Sequence, residues 1–107
     1  MIYNVQMTQR AKEQLDAFVR YLVSDLNNRQ AASNLLSDAA DAEESLAYVA
    51  ASLPFCDDLD LRKRDIRVFH FAKHRYLWLY QVKEDTAYIL AMYHELQDYE
   101  NIFRHGE

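Results

Sequence analysis

Glycine and proline are almost missing from this chain of 107 residues, since each occurs once, as Gly106 and Pro54. Tight turns usually depend on them, because glycine accepts positive φ angles and proline fixes φ at a turn-compatible value. An all-β sandwich, with its many short strands and turns, is therefore excluded. We expect a few long, regular elements, and we expect hairpin connections of three to five residues rather than two.

Cysteine is nearly absent as well, since Cys56 is the only one. One cysteine cannot form an intramolecular disulfide, which favours a reducing compartment and a cytoplasmic location. No segment has the pattern of a secretory signal. No apolar run approaches the roughly 18 residues of a membrane helix, so no membrane partner is expected. Motifs for zinc or for nucleotide phosphates are missing too, and we expect no cofactor and no metal.

Positive charge is scarce over the whole chain but concentrated in one segment. The sequence has 12 lysines and arginines against 17 acidic residues, which gives a net charge of −5 and argues against a general nucleic-acid binder. Residues 1–61 contain four basic and ten acidic residues, whereas residues 62–107 contain eight and seven. Between Arg62 and Arg75, six basic residues accompany a single acid, Asp65. We interpret this basic segment as a surface for an anionic partner.

The first half of the chain has the periodicity of a strand followed by two helices. Ile2–Met7 alternates apolar and polar residues and predicts a strand, and Thr8 is expected to cap the following helix. Apolar residues then recur every three or four positions from Gln9 to Leu26, which indicates an amphipathic helix. Asn27–Asn28 interrupts the pattern, and a second helix is predicted from about Arg29 to Ser52. So short a link requires an antiparallel helical hairpin.

The second half of the chain is predicted to form most of a sheet. Pro54 ends the second helix, and Phe55–Leu61 is expected to be an acidic loop. Three alternating segments then predict strands: Asp65–Phe71, Arg75–Val82 and Thr86–His94. Strict alternation predicts two faces for the last strand. One carries Ala87, Ile89, Ala91 and Tyr93, and the other carries Tyr88, Leu90, Met92 and His94. A short polar helix, Leu96–Arg104, closes the chain.

These elements predict a single domain over residues 1–107 with an α+β fold and the order β-α-α-β-β-β-α. The N-terminal strand and the long helical hairpin pack on a four-stranded, mainly antiparallel sheet, and a short helix lies at the C-terminus. We expect the second face of the sheet to stay partly open. Some of the many aromatic residues in the strands should lie on that open face.

The order of elements and several short sequences together resemble a known family. A strand, a helical hairpin with "AA..L" in its second helix, then "LP", "IRVFHF", "HRYLWLY" and "YHELQDYENI", is similar to the RelE/ParE superfamily of toxins from type II toxin–antitoxin systems. The resemblance covers nearly the whole chain and depends on order and spacing. It implies a plasmid stabilisation-like toxin that arrests bacterial growth. A cognate antitoxin would hold it inactive in a hetero-oligomer, with helices and often an added strand.

The superfamily implies two alternative targets. ParE-like members poison DNA gyrase, whereas RelE-like members cleave messenger RNA on the ribosome. The long hairpin, the acidic net charge and the terminal "YHELQDYENI" favour the ParE-like alternative. A third alternative is a degenerate toxin that only binds its antitoxin.

In the RelE-like alternative, the resemblance implies catalytic roles for Arg67, Arg75 and His94. The two arginines would hold the phosphate, and His94 would act as acid or base in a metal-independent cleavage by the 2′-hydroxyl. Each residue also has a structural interpretation. Arg75 could form an ion pair, Arg67 could stack on an aromatic ring, and His94 could cap the final helix.

Overall fold

Two long helices and a four-stranded sheet make up most of the molecule, as described by a computed structural model for residues 1–106. The strands are β1 (Asn4–Met7), β2 (Arg67–His70), β3 (Tyr76–Lys83) and β4 (Thr86–His94). The helices are α1 (Gln9–Arg20), α2 (Arg29–Val49), α3 (Leu59–Lys63) and α4 (Tyr99–Arg104). The predicted α+β fold is confirmed, with α3 as an additional short helix. None of the helices described is both long and apolar enough to cross a membrane.

The sheet has the strand order β1-β4-β3-β2. β1 runs parallel to β4, with Val5 opposite Ala87, and the other two pairs are antiparallel. The hairpin of α1 and α2 lies between β1 and the other strands in sequence. It therefore provides the long connection that lets the first strand pair with the last one in parallel.

The ends of the two long helices follow the expected capping chemistry. The Thr8 hydroxyl accepts a hydrogen bond from the Ala11 amide at 3.3 Å, and the Asn28 side chain accepts one from the Ala31 amide at 2.9 Å. Asn27 turns the chain between the helices with φ at 48°, a conformation that asparagine tolerates. The predicted helix to Leu26 differs at its end, because α1 passes into a π-helical turn at Tyr21–Asp25.

One face of the sheet packs against the hairpin and holds the larger core. Trp78 and Tyr80 are fully buried there, and the Tyr80 hydroxyl donates to the Ala50 carbonyl at 2.7 Å. Phe69 and Phe71 pack on the same side, with Phe71 edge-on to Trp78 at 4.8 Å between ring centroids. Most of the strand aromatics are therefore core residues on the hairpin side of the sheet. Their burial follows from the large apolar area that the hairpin covers.

The second face of the sheet is partly covered by α3 and α4. Leu61 and Phe103 are buried against this face, and the guanidinium of Arg10 lies 4.8 Å from the centre of the Phe103 ring. The loop predicted at Phe55–Leu61 is thus partly wrong, because α3 begins inside it. Asp58 caps α3 by accepting from the Leu61 amide at 3.1 Å, and it also binds Arg104 at 2.7 Å.

The predicted faces of β4 are wrong after Ile89, because the strand contains a β-bulge. Tyr80 lies opposite Ile89 but Leu79 lies opposite Ala91, so Leu90 is an extra residue in β4. An extra residue reverses the alternation of every side chain after it. As a result, Ala91 and Tyr93 face the α3–α4 side, while Met92 and His94 face the hairpin side.

The connection between β3 and β4 is shorter than predicted. Lys83 pairs directly with Thr86, which leaves a two-residue turn of Glu84 and Asp85. Glu84 takes a positive φ of 57°, the conformation for which glycine is usually chosen. Absence of glycine therefore did not exclude a two-residue turn. The connection between β2 and β3 spans five residues, 71–75, as expected.

Candidate functional site

An open apolar groove lies where the C-terminal end of α1 meets the ends of β3 and β4. Its cavity has a volume of about 530 Å³. Seven residues line it: Ala17, Phe18, Tyr21, Tyr76, His94, Leu96 and Gln97. We call this cavity the terminal groove. Exposed apolar concavities of this kind are typical of sites that bind a partner.

The π-helical turn at Tyr21–Asp25 shapes one wall of the terminal groove. A π turn closes its hydrogen bonds over five residues instead of four, which widens the helix and changes the direction of its side chains. Tyr21 at the start of this turn remains 49% exposed although it is large and aromatic. It stands outside the apolar stripe that packs α1 against the sheet.

A row of three rings forms the floor of the terminal groove. Phe18 meets Tyr76 edge-on at 4.8 Å, and Tyr76 meets His94 edge-on at 5.2 Å, both between ring centroids. Edge-to-face pairs of this geometry are favourable and fix the ring planes. Burial raises the pKa of the Tyr76 phenol, and the neighbouring Tyr21 raises it further. Tyr76 is therefore a neutral packing group here.

His94 is held by the turn that follows β4. Its Nδ1 accepts a hydrogen bond from the Leu96 amide at 3.1 Å, and its own amide donates to Oε1 of Gln97 at 2.8 Å. A neutral ring that accepts at Nδ1 carries its proton on Nε2, so the free ring nitrogen is a donor. The same turn leaves Leu96 79% exposed at the rim of the terminal groove.

Arg67 lies at the opposite end of the sheet and interacts with the chain itself. Its guanidinium donates to the Leu53 carbonyl and lies 4.0 Å from the centre of the Phe55 ring. In the register, Arg67 faces Tyr80 while His94 faces Tyr76. Four residues along β3 and two strand spacings separate them, which is about 13 Å in one direction and about 10 Å in the other.

Arg75 is close to His94 in the sheet but points away from it. Its carbonyl accepts from the Glu95 amide at 2.8 Å, and its neighbour Tyr76 pairs with His94. Consecutive strand residues point to opposite faces, so the exposed Arg75 side chain leaves the side on which His94 and Tyr76 meet. The structure therefore does not bring Arg67, Arg75 and His94 together around one phosphate.

Half of the six basic residues between Arg62 and Arg75 already bind other parts of the molecule through their side chains. Arg62 donates to the Cys56 carbonyl at 3.0 Å and approaches Asp57 at 3.6 Å, while Arg64 pairs with Asp60 at 3.4 Å. We interpreted this segment as a surface for an anionic partner. The contacts leave fewer of its cations available to such a partner. In residues 1–106, the cations of the β2–β3 connection, Lys73 and Arg75, form no side-chain ion pair.

A buried carboxylate fixes the connection that carries these two cations. Asp38 on α2 is only 2% exposed, and its Oδ2 accepts from the Lys73 amide at 3.2 Å and from Nδ1 of His74 at 2.7 Å. A carboxylate so far from water requires such donors. The connection is thereby tied to the long helix, beside the terminal groove.

Of the residues that line the terminal groove, sequence reasoning named only His94 as a candidate site residue. Two of the other lining residues could have been found, because each is a large apolar residue among polar ones. Tyr21 lies on the outer face of α1, and Leu96 lies within "HELQDY". Gln97 carries no such signal that we can identify. Within the part of the chain that the structure describes, no cluster of three or more His, Cys, Asp or Glu residues could hold a metal ion.

Comparison with known proteins places this geometry in a family. The fold is shared with a solved chain described as "Chromosomal ParDE TA system from P. aeruginosa", with a TM-score of 0.72, 18% identity, and coverage of 87% of this chain and 96% of that chain. No curated protein matches the sequence. The family model of the ParE toxin of the type II toxin–antitoxin system parDE matches residues 5–99. The chain belongs to this family of ParE toxins.

Proposed function

We propose that this protein is a growth-inhibiting toxin that acts on DNA gyrase in the cytoplasm by binding, and that a cognate antitoxin neutralises it. The observation that carries the proposal is the terminal groove, an open apolar surface lined by exposed aromatic and aliphatic side chains. Such a surface suits association with another protein. Membership of the ParE family supports the same target, because ParE-like toxins poison gyrase.

The separation of Arg67, Arg75 and His94 supports this choice over messenger-RNA cleavage. Cleavage by a 2′-hydroxyl needs a cation and an acid or base around one phosphate, within hydrogen-bond reach. Arg67 is instead engaged by Leu53 and Phe55. The net charge of −5 also repels the RNA backbone once the two approach to about a Debye length, roughly 8 Å.

Inducible expression in bacteria with two readouts tests the proposal. We expect growth arrest, a DNA-damage response and altered plasmid supercoiling, with intact messenger RNA. Ribosome-phased cuts in messenger RNA without a damage response would show that the RelE-like alternative is correct and that gyrase is not the target. Soluble protein without any arrest would identify a degenerate toxin.

Two matched leucine variants show whether the terminal groove is the surface involved. Leu96 and Leu59 are similarly exposed, but only Leu96 borders the groove, whereas Leu59 begins α3. A glutamate at either position leaves the core untouched. We expect Leu96→Glu to remove growth inhibition and the effect on purified gyrase, and Leu59→Glu to keep both. Equal toxicity of the two variants would place the gyrase-binding surface elsewhere.

A further inference from the structure

The terminal groove contains two hydrogen-bond donors that nothing in the described chain satisfies. His94 accepts the Leu96 amide at Nδ1, which places the proton of the neutral ring on Nε2. Gln97 accepts the His94 amide at Oε1, which leaves the amino group of its side chain as a donor. Within residues 1–106, no acceptor is bonded to Nε2 of His94 or to Nε2 of Gln97. We call these two groups the groove donors.

The turn after β4 holds the groove donors in place. The Gln97 amide donates to the His94 carbonyl at 3.0 Å, in addition to the two bonds that the side chains accept at 2.8 and 3.1 Å. The Tyr76 ring meets the His94 ring edge-on at 5.2 Å and fixes its plane. Side chains that are already ordered lose little conformational entropy when a partner binds. The groove donors are therefore prepared for acceptors that come from outside the molecule.

No negative charge lines the terminal groove, although the chain has 17 acidic residues. Glu95 lies between His94 and Leu96 in sequence, but its carboxylate binds Nδ1 of His70 at 3.0 Å. Neither Glu95 nor His70 lines the groove. An acceptor oxygen of a partner would therefore meet two donors and no competing carboxylate of the toxin itself.

The size of the terminal groove indicates what brings that oxygen. An apolar cavity of about 150 Å³ holds a single benzene molecule, whereas the groove has a volume of about 530 Å³. It therefore has room for several side chains of one chain segment. Each residue of such a segment carries a backbone carbonyl, and a carbonyl that leaves water for an apolar surface needs a donor. The groove donors supply that need.

We propose that the terminal groove binds a segment of DNA gyrase that carries several large apolar side chains, and that His94 recognises this segment by donating from Nε2 to one of its carbonyl oxygens. This inference rests on the proposed function, because it describes the chemistry of the surface that gyrase presents to the toxin. The Gln97 amino group donates to a second acceptor of the segment. The apolar side chains pack on Phe18 and Tyr76. His94 thus binds through a donor, in contrast to the acid or base role that the RelE-like alternative implies.

Two substitutions of His94 separate recognition of a partner from support of the turn. His94→Asn keeps an acceptor for the Leu96 amide, because an asparagine side chain bonds to the backbone two residues further on. Its side chain is too short to present a donor at the position of Nε2. His94→Gln has the opposite properties, since its amino group reaches that position but no acceptor replaces Nδ1. Both variants lose the ring contact with Tyr76, so that loss cancels when the two are compared.

Affinity for purified DNA gyrase, inhibition of supercoiling and urea unfolding are measured for both variants of the full chain. We expect His94→Asn to be the more stable of the two and to bind gyrase at least about tenfold more weakly than the unchanged protein. We expect His94→Gln to be less stable but to bind within about threefold of the unchanged protein. The reverse order of affinities, or equal affinities, would mean that His94 only supports the turn, which overturns the inference and leaves the proposed function intact. No binding of the unchanged protein to gyrase would overturn both.

Methylation of a single ring nitrogen provides an independent measurement. A histidine methylated at Nε2 and incorporated at position 94 keeps Nδ1 as the acceptor for Leu96 but has no proton to donate. We expect gyrase affinity to fall at least about tenfold without a change in stability. The same methylation at His70 is the matched control, because that ring also keeps its Nδ1 contact, with Glu95, and does not line the groove. Unchanged affinity after methylation of His94 would contradict the inference.

Other occupants of the terminal groove give a different pattern in the same variants. The complex with the product of the adjacent open reading frame and the self-association of the free toxin are measured alongside gyrase binding. A weaker antitoxin complex in His94→Asn, with gyrase binding unchanged, would assign the groove to the antitoxin. Dimers of the free toxin that dissociate in His94→Asn, again with gyrase binding unchanged, would assign it to a second copy of this chain. Either result would overturn the inference.

Discussion

The two ends of the sheet are finished in different ways. At the end we call closed, Arg67 binds the Leu53 carbonyl and the Phe55 ring, and backbone bonds from Pro54 and Cys56 cover β2. At the end we call open, the terminal groove exposes apolar rings, and side-chain amides cover β4. Backbone partners are held by the fold, whereas side-chain partners can rotate away. The open end is therefore the end suited to exchange its contacts for those of another protein.

The largest expected effect is on the free energy of unfolding, and it distinguishes Arg67 from Arg75. Arg67→Ala removes a charge-assisted hydrogen bond and a ring contact, so we expect it to lower the free energy of unfolding by about 3 kcal/mol. Arg75→Ala has neither contact to lose and should stay within about 0.5 kcal/mol. Urea unfolding measures both. Equal losses for the two variants would contradict the assignment of Arg67 to the closed end.

Sequence reasoning recovered the fold but not this difference between the ends. The caps at Thr8 and Asn28 and the order of elements follow from local chemistry that acts within a few residues. The faces of β4 do not, because the bulge at Leu90 depends on how β4 fits between β1 and β3. Since the bulge moves His94 to the hairpin side, the composition of the terminal groove could not be derived from alternation.

The same limit applies to the candidate site residues. Arg67 and Arg75 look alike in "IRVFHFAKHRYLWLY", as cations in neighbouring strands. Their roles differ because the chain after Pro54 returns to β2 and brings Phe55 under one guanidinium, a long-range contact with no local signal. The helix α3 was different. Asp58 at its start and Arg62 and Lys63 in its last turn are a capping pattern that a closer inspection of the loop could have found.

Near the open end, one anchor is buried and can be removed. Asp38→Ala deprives the Lys73 amide and the His74 ring of their acceptor, and we expect a loss of about 2 kcal/mol in the free energy of unfolding. Glu95→Ala is the matched control, because its pair with His70 is exposed and should be worth less than about 1 kcal/mol. Two variants of equal stability would show that the β2–β3 connection is not held by α2.

Tyr80 gives a smaller and pH-dependent effect at the closed end. Tyr80→Phe loses the bond to the Ala50 carbonyl, and we expect a cost of about 1 kcal/mol at pH 7. Burial raises the pKa of Tyr80 from 10.0 to about 12, with Arg67 acting weakly in the opposite direction. The unfolded phenol therefore ionises first, and its contribution to stability is complete below pH 10 and falls as pH rises towards 12. Unfolding curves at pH 9 and 11 should show a shallower fall for Tyr80→Phe than for the exposed control Tyr48→Phe.

Thiol reactivity distinguishes the two ends chemically. Cys56 is buried beside β2, and burial, followed by the charge of Glu100 and other nearby acids, raises its pKa from 9.0 to about 12. At pH 8 the thiolate fraction is then about a thousandfold lower than that of an ordinary cysteine, so iodoacetamide should hardly react with the folded protein.

A single cysteine moved to the open end, as Leu96→Cys in a Cys56→Ala background, should react at the rate of a free thiol, since Leu96 is exposed at the terminal groove. Bound antitoxin should slow that reaction if it occupies the groove. Rapid alkylation of Cys56 in the native chain would instead show that the closed end opens on the timescale of the assay, and the contrast between the two ends would then be one of degree.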